Sequence, residues 1–148
     1  MIWRGLDRAT ALLLAVVIAG SVTYYADGVF DEVYANRLAF GHVAPCPECI
    51  GLIAVLDRQY VGDLAYVTRP GHAEEGPFLV ADCAAAKDFG RLQQRGLVAE
   101  VDWATAQRWG MRAPLYDVTV RIVARELAPS EPVAPWPARR SDGRAVAF

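Results

Sequence analysis

The chain has 148 residues, with 15 Lys plus Arg against 17 Asp plus Glu, and a formal net charge of −2. This length suits one domain with terminal extensions and is enough to bury a hydrophobic core. The charge balance leaves no basic surplus, so we expect no nucleic-acid partner. Twelve glycines and nine prolines indicate many turns, as in a β-rich domain.

Residues 1–21 have the pattern of an export signal. Arg4 and Arg8 precede an uncharged apolar run over residues 9–22. This run is shorter than the ~20 residues that a membrane span needs. Small residues just before Val22 offer a cleavage point. An uncleaved signal anchor, which would attach the protein to a membrane, is the alternative. We therefore expect an exported protein of the extracellular space or cell envelope.

The rest of the chain predicts about six short strands and two short helices. Residues 22–30 predict two strands around a turn at Asp27 and Gly28, and residues 31–49 are typical of a loop. Further strands are predicted at 50–56, 64–68, 77–81, 97–101 and 116–123. The proline- and arginine-rich residues 124–148 predict a disordered tail.

This pattern predicts an all-β fold with short helices, a small closed barrel over residues 22–123. A doubly wound α/β domain is the alternative, but it needs longer crossover helices than the sequence offers.

A strand–Asp–helix unit occurs twice between residues 76 and 110. An apolar run ends at Asp82, and another ends at Asp102, each followed by an Ala-rich segment. The two helices are predicted to end at Gly90 and Gly110. Aspartate at such a junction is a favoured helix N-cap, and Asn caps about as well. The other interpretation is that both carboxylates face one cleft.

Three stretches resemble the double-psi β-barrel domains of bacterial cell-wall proteins, namely rare lipoprotein A, the three-aspartate domain and membrane-bound lytic transglycosylase A. They are VTYYADG with YANR (22–28 and 34–37), GDLAYV (62–67), and GPFLVADCAA with VDWATAQRWGM (76–85 and 101–111). The resemblance implies a six-stranded double-psi β-barrel that acts on or binds peptidoglycan glycan strands. The chain departs from these families in two ways. It lacks their Gly-rich stretch after the first aspartate, and its two aspartates are more widely spaced.

The resemblance also implies roles for particular residues. In the transglycosylases one aspartate serves first as acid and then as base, and Asp102 aligns with it, with Asp82 as an orienting or substrate-binding partner. Such a carboxyl works best in an apolar surround, which Trp103 could supply. Tyr25, Tyr34 and Trp103 offer ring faces for sugars. A non-catalytic barrel that binds a glycan or a protein is the alternative, and we expect no cofactor.

The three cysteines form a second group of interest. Cys46 and Cys49 belong to a CPEC motif, and Cys83 directly follows an aspartate. In an exported chain an odd cysteine count leaves one thiol, and we predict a disulfide from Cys83 to Cys46 or Cys49. The alternatives are a zinc site of the three thiolates with His42 or His72, and a thiol-dependent envelope protein built on the same cysteines.

Overall fold

The computed structural model describes residues 15–125, which form a closed barrel of six strands. The strands are β1 (Val16–Tyr24), β2 (Gly51–Val55), β3 (Leu64–Thr68), β4 (Glu75–Cys83), β5 (Leu97–Val101) and β6 (Leu115–Val123). The helices are α1 (Val29–Ala39), α2 (Ala86–Gln94) and α3 (Trp103–Arg108), with a short 3₁₀ helix at Arg58–Tyr60. The prediction of an all-β barrel with short helices is confirmed.

The strand order around the barrel contains an internal two-fold pattern. The order is β1-β5-β2-β4-β3-β6, with parallel pairs β1/β5 and β2/β4 and four antiparallel pairs. If β1, β2 and β3 exchange places with β4, β5 and β6 respectively, the same strand pairs result, each with the same parallel or antiparallel direction. Because α1 and α2 follow the first strand of each half, the true repeat is a half-barrel rather than the strand–Asp–helix unit.

The barrel interior is filled by alternate side chains of all six strands. The predicted alternation of β6 is confirmed, since Val118, Val120 and Ile122 are all buried. A second apolar cluster lies outside the barrel wall, where α1 covers β2 and β4 and buries Ala54 and Leu79. Burial on both faces explains why these two strands are continuous apolar runs in the sequence.

The helix α1 occupies residues that were predicted as strand and loop, so that prediction was wrong. The helix begins after Gly28, whose φ of 75° turns the chain sharply in the short connection between β1 and α1. Its apolar residues Phe30, Val33, Tyr34 and Leu38 pack against the outer cluster. Their spacing of i, i+3, i+4 and i+8 is a helical signal, which the β-branched and aromatic residues had obscured.

The predicted end of α2 was also wrong. The helix continues through Gly90 to Gln94, and the turn comes at Gly96, which has a φ of 72°. A glycine inside a helix lowers its stability but does not end it when the following residues favour helix.

The barrel begins earlier in the chain than the sequence suggested. Strand β1 starts at Val16, and residues 16–20 pair with β6 to close the barrel. Cleavage before Val22 would remove residues 16–21 of this nine-residue strand. Most of the predicted export signal (1–14) and of the predicted C-terminal tail (126–148) lies outside the described residues, so both remain predictions. Within residues 15–125, no helix is long and apolar enough to cross a membrane.

We expect Gly20→Ala to destabilise the barrel, because β1 and β5 approach closely there. An added Cβ would overlap the carbonyl oxygen of Gly96 and lie 2.7 Å from Val98 Cγ1. The loss of unfolding free energy, measured by urea denaturation, should be about 1–3 kcal/mol.

The matched control is Gly90→Ala, where an added Cβ meets nothing within 4 Å. Because alanine favours helix over glycine, this change should stabilise the protein by up to about 1 kcal/mol. A Gly20→Ala variant as stable as the unmodified protein would contradict the close approach of the two strands.

Candidate functional site

A cleft of about 380 Å³ lies at one end of the barrel, between the start of α1, the loop before β2 and the start of α3. The polar, aromatic and sulfur-containing residues that line it are Asp27, Phe30, Asp31, Tyr34, Cys46, Cys49, Asp102 and Trp103. Three carboxylates, three aromatic rings and a pair of cysteines therefore meet at one opening. Clefts that combine apolar faces with a few polar groups are the usual location of ligand sites.

Asp102 holds two parts of the cleft together. The residue is 8 % exposed and is the N-cap of α3, as predicted, with Oδ1 accepting a hydrogen bond from Thr105 N at 2.7 Å. Its Oδ2 accepts a second bond from Leu52 N at 2.5 Å. Both oxygens are thus engaged by backbone donors, one from α3 and one from β2.

Gly51 provides the space that this arrangement needs. A Cβ at this position would lie 2.6 Å from Thr105 Oγ1 and 2.9 Å from Asp102 Oδ2. A side chain at this position would displace the carboxylate of Asp102 from its two donors. The cleft therefore requires glycine at the start of β2.

The two aromatic residues proposed to stack on sugars that do line the cleft come from different elements. Tyr34 lies on α1, and Trp103 is the first residue of α3; both are half-buried. Trp103 packs against Tyr24, with ring centroids 5.6 Å apart. The predicted stacking residue Tyr25 does not line this cleft. It lies behind Phe30, which separates it from the opening, with centroids 4.4 Å apart.

Asp82 belongs to a separate polar cluster that ties α1 to β4. Its Oδ1 accepts from Arg37 at 2.6 Å, and its Oδ2 accepts from the hydroxyl of Tyr25 at 2.8 Å. Burial, reinforced by the hydrogen bond to Asp82 and the charge of that residue, raises the pKa of Tyr25 well above its usual range. The phenol therefore remains a hydrogen-bond donor at physiological pH.

The structure separates the two aspartates that the sequence had paired. The N-cap of α2 is Ala85, so the expectation that Asp82 caps this helix was wrong. Asp102 lines the cleft, whereas Asp82 is not among the lining residues. The two carboxylates are used in different places, each to join distant segments of the chain.

The predicted disulfide from Cys83 was wrong, because Cys46 and Cys49 are bonded to each other and Cys83 is free. The CPEC segment forms a turn in which Cys49 N donates to Cys46 O, and the two Cα atoms are 5.3 Å apart. This separation is typical of a disulfide. The Sγ of Cys83 instead lies 3.8 Å from the guanidinium of Arg37.

The proposed zinc ligands are not brought together. Two of the three sulfurs are in the disulfide and are not thiolates, and His42 contacts Arg37 through Nδ1 at 3.3 Å. The other candidate, His72, lies in an exposed turn. Among the residues from 15 to 125, no group of three or more His, Cys, Asp or Glu side chains could hold a metal ion.

Arg125, which follows β6, fixes the disulfide loop. Its guanidinium donates to Ala44 O at 3.0 Å and to Pro45 O at 2.6 Å. Sequence analysis missed this clamp because the partners are about 80 residues apart. It also missed Asp27 and Asp31 as cleft residues, since Asp27 was assigned to a turn and the helix carrying Asp31 was not predicted.

No family model, curated protein or solved structure matches this chain. Arguments about its function therefore rest on the fold and on the chemistry of the cleft.

Asp102→Asn should destabilise the protein, although Asn is usually as good an N-cap as Asp. An amide has one oxygen, so if it caps Thr105 N its NH₂ group must face the N–H of Leu52. A buried donor without an acceptor costs about 1–3 kcal/mol, measurable as a loss of unfolding free energy in urea.

The matched control is Asp57→Asn in the 3₁₀ helix. Asp57 accepts from Gln59 N and from the side-chain amide of the same residue. The side-chain amide of Gln59 can rotate and present its oxygen to the amide nitrogen that the substitution introduces. The change should therefore cost less than about 0.5 kcal/mol of unfolding free energy. Equal effects of the two substitutions would show that the Leu52 bond is unimportant.

The folded protein should contain one free thiol, at Cys83. Alkylation under denaturing, non-reducing conditions followed by peptide mass spectrometry should label this residue alone, and reduction should expose all three. Cys83→Ser should give no label without reductant. A mass that links Cys83 to either of the other cysteines would contradict the pairing.

Proposed function

We propose that this protein binds a peptidoglycan glycan strand in the cleft between α1, the disulfide loop and α3. The observation that carries the proposal is that Tyr34 and Trp103 line the same opening as the carboxylates of Asp27, Asp31 and Asp102. Sugar rings have an apolar face that packs on aromatic rings and a rim of hydroxyls that donate to carboxylates. Large rigid aromatic side chains contribute contact area at low entropic cost.

The architecture supports a double-psi β-barrel of the cell-wall type. A closed six-stranded barrel is what the resemblance to rare lipoprotein A and its relatives implies. Asp102 also stands at the junction of β5 and α3, the position that the resemblance assigns to the functional aspartate.

Export to the cell envelope is part of the same proposal. The Cys46–Cys49 disulfide supports it, because disulfides persist in oxidising compartments and are rare in the cytosol. Residues 16–21 belong to β1, so cleavage before Val22 would remove part of the barrel wall, and any export signal must end before Val16.

Cleavage of the glycan by Asp102 is the second candidate. One observation favours it, namely that this residue lines the cleft. However, an acid–base carboxyl must exchange a proton with the substrate, and both oxygens of Asp102 already accept backbone N–H groups. Binding therefore ranks ahead of cleavage.

Glycan binding is tested by co-sedimentation with purified peptidoglycan. Trp103→Ala and Tyr34→Ala should each weaken binding roughly tenfold, which corresponds to about 1.4 kcal/mol. The control is Tyr116→Ala, which removes an exposed tyrosine of β6 that does not line the cleft and should leave affinity unchanged. Failure of the unmodified protein to sediment with peptidoglycan would reject the proposal.

Cleavage is tested by the release of soluble fragments from peptidoglycan, at a temperature where Asp102→Asn remains folded. If Asp102 is the acid–base group, this variant should still bind but release no fragments. If Asp102→Asn releases fragments as fast as the unmodified protein does, Asp102 is excluded from the chemistry. Binding without release by the unmodified protein would leave the binding function alone.

A further inference from the structure

We propose that, within peptidoglycan glycan strands, the cleft selects stretches with free amino groups, such as N-deacetylated glucosamine, over fully acetylated stretches and over stretches with free carboxylates. This inference rests on the proposed glycan-binding function, and it names the chemical class of the preferred sugar.

The first argument is the charge of the cleft. Its lining includes three carboxylates and no Lys, Arg or His side chain. Within the described part of the chain, Asp27 and Asp31 form no ion pair, and both side chains are exposed. Their negative charge is therefore available to a ligand. Carboxylates on a bound sugar would meet like charges, whereas an ammonium group would be attracted.

The second argument is independent and concerns the aromatic walls. The face of a Trp or Tyr ring attracts cations as well as apolar surfaces. Tyr34 and Trp103 therefore favour the same ligand chemistry as the carboxylates beside them. Acetylation of the amino group would remove its positive charge and with it both of these attractions.

The experiment titrates the full-length protein with three oligosaccharides of equal length, made of glucosamine, N-acetylglucosamine and a uronic acid. The glucosamine oligomer, at a pH where its amines are protonated, should bind at least tenfold more tightly than the acetylated one. The uronic acid oligomer should bind most weakly. Added salt should reduce the preference, because exposed charges are screened.

The double variant Asp27→Asn/Asp31→Asn should bind the glucosamine and acetylated oligomers with similar affinity. A matched double variant, Asp88→Asn/Asp117→Asn, removes two charges outside the cleft and should keep the preference. Thermal melting would establish that all variants are folded.

The outcomes separate the inference from the function on which it rests. Equal affinity of the unmodified protein for the glucosamine and acetylated oligomers would overturn the inference and leave glycan binding intact. Binding of a short lysine peptide as tightly as the glucosamine oligomer would also overturn it, because charge alone would then decide. Failure to bind any oligosaccharide or peptidoglycan would overturn the proposed function itself.

Discussion

The cleft depends on one carboxylate that two distant backbone segments share. Asp102 accepts hydrogen bonds from Thr105 N and Leu52 N, so it fixes the first turn of α3 against the start of β2. Trp103 projects from this turn, and the disulfide loop leads directly into this strand. The carboxylate thus extends the β2/β5 pairing, in which Asp102 N also donates to Leu52 O, to the helix that carries the aromatic wall. The absence of a side chain at Gly51 gives the carboxylate its space.

The two-fold pattern separates what the fold requires from what the cleft adds. Both halves contain a helix after the first strand and an aspartate cap after the second, at Asp57 and Asp102. Only the first half has a disulfide loop before its second strand, and among the described residues only Asp102 reaches from its cap to a neighbouring strand. The disulfide loop of the first half and Asp102 of the second half meet in the cleft. Such divergence on a stable framework is consistent with a site, because loops carry function while the barrel maintains position.

Sequence patterns predicted those features that depend on neighbouring residues. Strands β3 and β5 were predicted at their observed bounds, because turn residues flank short apolar runs. The cap at Asp102 was predicted for the same reason. Its bond to Leu52 and the clamp of Arg125 were not, since both join residues at least 50 positions apart. The pairing of Cys46 with Cys49 is local, but it depends on the turn between them, and an odd cysteine count does not reveal that turn.

The direction of β1 relates the cleft to the N-terminal segment. The strand runs from Val16 to Tyr24, and the cleft begins just beyond its far end, at Ala26. At about 3.3 Å per residue, a nine-residue strand separates the two by roughly 27–30 Å. Because β5 is parallel to β1, Asp102 lies at the same far end. Residues attached ahead of Val16 therefore join the barrel at the end opposite the cleft, which opens beyond the other end of β1.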